Sequence, residues 1–162
     1  MWHHGSLKIV NEHVATTVIR TFLLNMLRTT EIPESAPKIV VAITLGQRHD
    51  VGALTVALTA AENGWHPIYY GPNLPAEEIA TGAKQSNAQA IAISITHTLN
   101  QHALVAKLRK LKRYIGPNTA LFVGGRAVGD QRLLLNEIDA KLIEDFEEFS
   151  SELDSLLVAG EA

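Results

Sequence analysis

The sequence predicts an α/β protein: a five-stranded parallel sheet with helices on both faces, preceded by one N-terminal helix. Three observations carry this expectation. From Lys38 onward, short apolar runs alternate with segments of helical periodicity, the pattern of strands joined by right-handed helical crossovers. The runs lack polar alternation. Ala90-Ile91-Ala92-Ile93, for example, is apolar throughout, as suits a central strand covered on both faces. Finally, 162 residues of which 46% are hydrophobic suit one domain with a sizeable core.

Residues 6–29 are expected as one helix. Leu7, Val10, Val14, Val18, Phe22 and Met26 recur at three- and four-residue intervals, and Ile9, Ile19, Leu23 and Leu27 widen the stripe. A stripe this wide wants a partner surface: the end of a helical bundle, a lid over the next domain, or a dimer interface. Residues 31–37 contain Pro33 and Pro37, which break helix, and read as a linker between a cap at 1–30 and an α/β domain at 38–158. Strands are expected at 38–44, 66–70, 90–95, 119–123 and 140–143. Helices are expected at 50–63, 75–86, 99–114, 129–137 and 145–158. Gly64 marks the end of the first of these helices. Residues 158–162 are expected to fray.

Composition excludes several function classes. Without cysteine there is no disulfide framework, thiolate metal site or iron–sulfur cluster. Any metal must be held by histidine, carboxylate or a cofactor. The net charge of −3, with 14 basic against 17 acidic residues, argues against an extensive basic face for nucleic acid. No apolar stretch is long enough to span a membrane, and the start shows no signal-peptide pattern, so a cytoplasmic protein is expected.

Unusual residues gather at three predicted strand ends, where ligands collect in an open α/β sheet. The first strand is followed by Gln47-Arg48-His49-Asp50-Val51-Gly52, the third ends in Ser94-Ile95-Thr96, and the fourth ends in Gly124-Gly125. The imidazole of His49 can bind a metal. The hydroxyls of Ser94 and Thr96 both donate and accept. Paired glycines after a strand let a ligand press on the backbone. The composite fits a large cofactor with a polar tail better than a small substrate. Other strand-end chemistries do not match. There are no spaced glycines for a dinucleotide, no hydroxyl-rich phosphate loop, no acidic cluster of a receiver, and no serine elbow.

With these residues in register, the chain resembles the cobalamin-binding (vitamin B12) domain family, whose signature is Asp-x-His-x-x-Gly, then Ser-x-Leu or Ser-x-Thr, then Gly-Gly, on a flavodoxin-like sheet. The matches are His49 and Gly52, Ser94 and Thr96, and Gly124 and Gly125, across roughly residues 38–145. The resemblance implies that cobalamin is bound, with His49 as lower axial cobalt ligand and the nucleotide tail passing Ser94 and the glycine pair. Gln47, Asp50 and Val51 belong to the same cofactor-binding loop. Where the family has a leading acid, this chain has Gln47. An amide accepts a hydrogen bond from the imidazole but supplies no charge, which implies a weaker cobalt–His49 bond.

The N-terminal helix resembles a subtype. Trp2, nine residues, then Glu12-His13 is similar to the helical cap of B12-dependent light-sensing regulators, including the MerR-type photoreceptors. That likeness implies Trp2 over the upper face of the corrin, Glu12 and His13 beside it, and His3 as an upper cobalt ligand after light removes an adenosyl group. The string His3-His4-Gly5-Ser6 also has the composition of a cloning remnant. The chain has no winged-helix segment, which implies an excised sensor domain or a short relative acting through a partner.

The function expected is therefore an adenosylcobalamin-dependent light sensor, not itself an enzyme. Methylcobalamin and hydroxocobalamin remain as other forms of the cofactor. Expected partners are a second copy or a regulatory protein through the N-terminal helix, with neither nucleic acid nor membrane bound directly. Two alternatives stand beside it: a corrinoid protein of a methyltransferase system, and a haem-binding sensor on the same scaffold. His97, His102 and Arg126 are expected as ordinary polar positions, Arg126 within reach of a phosphate or propionamide. Lys107, Arg109, Lys110, Lys112 and Arg113 are expected as the exposed face of an amphipathic helix.

Overall fold

Burial splits each strand by parity, and that split builds the molecule. In the computed structural model, Ile39, Val41 and Ile43 of the first strand pack to one side of a sheet while Val40 and Ala42 pack to the other, as successive side chains on a strand must. The structure describes residues 9–44, 46, 49–97, 101–129 and 132–160. The elements run α1 (Ile9–Thr29), β1 (Lys38–Thr44), α2 (Val51–Glu62), β2 (His66–Leu74), α3 (Ala76–Ser86), β3 (Ala90–Ser94), α4 (Gln101–Ile115), β4 (Ala120–Gly124), α5 (Arg132–Glu137), β5 (Lys141–Ile143) and α6 (Phe146–Gly160).

All described strand pairs are parallel, in the order β2-β1-β3-β4-β5. The parallel sheet is what the alternation predicts, and its strand order is the flavodoxin-like one that the family resemblance implies. The chain leaves β1 toward β2 on one side and returns to β3 on the other, so a crevice opens between the carboxyl ends of β1 and β3. One core layer joins the sheet to α3, α4 and α5 through residues such as Ile79, Leu104, Leu108 and Leu135. The other joins it to α2 and α6 through Ala53, Ala57, Trp65, Phe149 and Leu153.

Local sequence explains most boundaries. Helix α2 ends in a Schellman motif, with Trp65 N donating to Ala60 O and Gly64 N to Ala61 O. Gly64 supplies the left-handed conformation there, at φ 77°. The largest departure is β2, which continues four residues past the expected end at Tyr70. The apolar run stops at Gly71-Pro72-Asn73, but β2 is an edge strand, where proline is tolerated. Its pairing with β1 persists across two register shifts.

Helix α1 departs in a different way. Its stripe of Val10, Val14, Val18 and Phe22 is exposed, Val18 and Phe22 each at 63%. The half-buried positions are Leu23 and Leu27 from the margin of the stripe, with Glu12, Thr16 and Leu24, and the contact is with α2. No residue of α1 is fully buried. Only the Leu23 and Leu27 margin of the expected stripe thus attaches α1 to the α/β body, while its central line stays exposed. Periodicity identifies an apolar face but not which face the neighbouring helix takes. No helix among the described residues is long and apolar enough to cross a membrane.

Candidate functional site

The three signature segments meet at the carboxyl edge of the sheet. Ser94 pairs with Gly124 across β3 and β4, and Ile95 N donates to Gly124 O at 2.9 Å, so the Ser-x-Thr and Gly-Gly segments run side by side. Gly52, in the first turn of α2, faces Ser94. A Cβ on Gly52 would lie 3.6 Å from Ser94 Oγ. Ser94 is buried, and Thr96 is half-buried just beyond the strand.

Between α2 and α6, beneath these segments, lies a cavity of about 170 Å³. Gly52 and Val56 form one wall, Phe146 and Phe149 the other, and Ala92, Phe122 and Gly124 the floor. Ala92 and Gly124, small residues beside Phe122, make the room. Phe122 and Phe149 meet edge to face, with ring centroids 5.5 Å apart and planes at 85°, a favoured aromatic geometry that stiffens the back of the slot. The lining is apolar except for Ser94 and, at the rim, Glu144 and Asp145.

The glycine pair is also required by the backbone. Gly125 has φ 108°, and a Cβ there would lie 2.4 Å from Ile95 O; a Cβ on Gly124 would lie 2.9 Å from Ile143 O. The rim is held firmly. Asp145 Oδ1 accepts from Glu148 N at 2.8 Å, capping α6, and Glu148 Oε2 accepts from Glu144 N at 2.7 Å. Arg132 bridges Glu144 at 3.0 Å and Glu148 at 3.7 Å. The bond to Glu144 holds the arginine's pKa above its ordinary value. A second cleft of about 250 Å³ opens past Gly125, lined by Arg126, Val128, Gly129 and Glu144.

His49 is exposed in the turn between β1 and α2. Two anchors hold that turn. On one side, Gly46 N donates to Asn73 Oδ1 at 2.8 Å. On the other, Asp50 is buried, and its Oδ2 accepts from Arg20 Nε at 2.6 Å and from the Tyr69 hydroxyl at 3.0 Å. Burial, then the hydrogen bond to Asp50, push the Tyr69 hydroxyl well above the ordinary tyrosine range. Asp50, expected among the cofactor-binding residues, thus turns its carboxylate toward α1 and β2. Val51 is half-buried as the first residue of α2.

Arg20 also fixes where the cap residues stand. Its level on α1 matches Asp50 at the carboxyl edge, while Leu27, farther along, packs into the α2–α6 layer. Glu12 lies eight residues before Arg20, about 12 Å along the axis at 1.5 Å per residue. Glu12 and His13 therefore stand beyond the sheet edge, on the same side as His49. Glu12 is half-buried and His13 exposed, and the His13 carbonyl accepts from Thr17 Oγ. Trp2, His3 and Gln47, also expected at the site, lie outside the described residues.

The sequence gives no direct signal for Arg20, Tyr69, Asn73 or the aromatic slot. Arg20 is one polar residue among several on α1, and only the packing of α1 on α2 reveals its partner. The basic run on α4 is partly neutralised: Lys110 pairs with Glu77, Lys112 with Asp139 at 2.8 Å, and Arg109 with Glu137 at 3.8 Å. Among the described residues no group of three or more His, Asp or Glu could hold a metal. His49 as a single protein donor suits a metal that carries its own in-plane ligands, not a bare ion caged by side chains.

Fold and site together define a strand-edge binding domain: small residues open an apolar slot beside α2, and His49 is exposed in the turn that leads into that helix. Residues 37–154 match the B12 binding domain family, and the chain belongs to that family. It is a cobalamin-binding domain. It is 22% identical over 142 residues to the HTH-type transcriptional repressor CarA of Myxococcus xanthus, covering 88% of this chain and 49% of that protein. The chain thus spans about half the length of that curated relative. Among solved structures it is similar to a novel cobalamin-binding protein from Desulfitobacterium hafniense DCB-2. That match has a TM-score of 0.61 and 15% identity, over 95% of this chain and 73% of the other. It is also similar to the monomethylamine corrinoid protein of Methanosarcina barkeri, with a TM-score of 0.65 and 19% identity, over 82% of this chain and 63% of the other. The methanol:cobalamin methyltransferase complex MtaBC of the same organism gives a TM-score of 0.68 and 16% identity, over 97% and 60%. These three likenesses show the fold.

Proposed function

We propose that this chain is the sensor domain of a light-responsive regulator, loaded with adenosylcobalamin, which acts on transcription through a further module or a partner protein. One observation supports the reading: with Arg20 bonded to Asp50, the arm of α1 bearing Glu12 and His13 extends past the strand edge that carries His49. The similarity to a transcriptional repressor adds support. When bound, adenosylcobalamin supplies a light-cleavable cobalt–carbon bond. His49 would offer its imidazole to cobalt. Gly52, Ser94, Gly124 and Gly125 line the channel for the nucleotide tail, and Phe122 and Phe149 close its apolar end. On this reading Trp2, Glu12 and His13 would cover the bound cofactor, and His3 would offer a ligand to cobalt in the light state. The chain contributes no catalytic residue on this reading. Its output is a change in the pose of α1, a shift between two populated states.

The test is reconstitution in the dark with adenosylcobalamin and methylcobalamin, with metal analysis to separate cobalt from iron. Spectra and solution mass are then taken before and after green light. A light-dependent change of both, with the spectral change altered in His49→Ala and His3→Ala, is expected. Identical dark and light spectra and mass would sink the proposal. A second reading, a corrinoid protein of a methyltransferase system, is favoured by the fold shared with the two Methanosarcina barkeri proteins. Methyl transfer from the bound cofactor to a cognate partner would select it.

A further inference from the structure

Asp50 occupies the N-cap position of α2, where a carboxylate ordinarily accepts from the second or third amide of the helix. Here it makes no such bond. Its Oδ2 accepts from Arg20 Nε at 2.6 Å and from the Tyr69 hydroxyl at 3.0 Å. Asp50 is only 5% exposed. A buried carboxylate needs such partners, because an uncompensated buried charge is far more costly than a missing cap.

The three residues come from three elements: α1, the β1–α2 turn and β2. Asp50 is covalently next to His49. Helix α1 has no fully buried residue; its half-buried positions are Glu12, Thr16, Leu23, Leu24 and Leu27, and it packs on α2, with Arg20 reaching the turn at Asp50. A helix attached by a half-buried face responds to a strong bond at one end of its contact.

We infer that Arg20 and Tyr69 are positioning residues for His49: through Asp50 they fix the turn from which the imidazole projects, and they tie that turn to the pose of α1. The inference rests on His49 being the axial ligand. The coupling runs both ways. Whatever α1 contributes to ligation at His49, ligation returns to α1 as the same free energy.

The experiment uses the full chain reconstituted with hydroxocobalamin and reduced to cobalt(II). Electron paramagnetic resonance on protein carrying isotopically labelled histidine reads the nitrogen superhyperfine splitting of a coordinated imidazole apart from that of the cofactor's own benzimidazole. Hydrogen exchange of residues 9–29 is measured with and without the cofactor. In the parent, splitting lost on His49→Ala is expected. The ratio of ligated to unligated cobalt should fall about tenfold in Arg20→Ala, the scale of one charge-assisted hydrogen bond. It should fall a few-fold in Tyr69→Phe and recover in part in Arg20→Lys. The protection that cofactor confers on α1 should shrink in the same order. Tyr69→Phe removes one hydroxyl only and keeps the test decisive if Arg20→Ala does not fold. A spectrum unchanged by His49→Ala overturns the ligand assignment, and the coupling with it. His49-dependent splitting whose ratio is unmoved in Tyr69→Phe, and in Arg20→Ala where that variant folds, overturns the coupling alone.

Discussion

Gly125→Ala is expected to be among the most damaging single-methyl changes in the molecule, and its cost can be worked from the backbone. At φ 108°, Gly125 lies where side chains are rarely found, a conformation that costs about 1–3 kcal/mol for other residues. The added Cβ would sit 2.4 Å from Ile95 O and 2.9 Å from both Ile95 C and Ile95 N, so backbone must move. It cannot move freely. Ile95 N donates to Gly124 O at 2.9 Å, and Ile95 O accepts from Ala127 N at 3.1 Å. Forced overpacking adds about 1–3 kcal/mol, for a total near 4 kcal/mol, a large share of the about 5–15 kcal/mol typical of a domain. Gly52→Ala is the control. Its Cβ meets only Ser94 Oγ at 3.6 Å, ordinary contact, within a helix. Alanine there is expected to stabilise by about 0.5 kcal/mol or be neutral. Urea unfolding of both variants, monitored by circular dichroism, measures the difference. A loss below about 1 kcal/mol for Gly125→Ala, within the range of an unremarkable mutation, would refute the reasoning that Gly125 is imposed by the Ile95 backbone.

Three further outcomes are expected. His49→Ala should change stability by no more than about 0.5 kcal/mol, because the side chain is exposed, while abolishing the imidazole signature of bound cobalt; a large loss of stability would give His49 a structural role instead. Tyr69 keeps its proton to higher pH folded than unfolded, so its contribution is present below about pH 10 and fades as pH rises above it. The parent should lose stability above that pH more steeply than Tyr69→Phe, by at most about 1.4 kcal/mol per pH unit and less for a half-buried hydroxyl; equal slopes in the two proteins would contradict this. Phe22→Glu, on the exposed stripe of α1, should shift the unfolding midpoint of the isolated chain little, within about 0.5 kcal/mol; sedimentation of the reconstituted protein then shows whether that face carries assembly.

Most of the architecture was legible in the sequence because a doubly wound sheet writes itself locally. Apolar runs such as Ala90–Ile93 announce buried strands, and Gly64 announces the end of α2. The β2 extension was not legible, since edge pairing through Gly71-Pro72-Asn73 depends on β1 and not on apolar pattern. The site was legible in its motifs. Gly52, Ser94, Gly124 and Gly125 could be placed together because strand ends of a parallel sheet share one edge, whatever the details between them.

What the sequence alone determined is therefore the sheet, its ligand-bearing edge and the small residues that keep that edge open. These follow from periodicity and from residue types with narrow physical roles. Tertiary structure decided the rest: that Phe122 and Phe149 from distant segments close one slot, that Asp50 serves Arg20 and Tyr69 and not its own helix, and that α1 turns Arg20 and Leu27 inward while Val18 and Phe22 face out. The physical reason is one of range. Helix and strand propensity act over a few residues, whereas a buried carboxylate selects its partner by what packing brings within hydrogen-bond reach, here a residue 30 positions away.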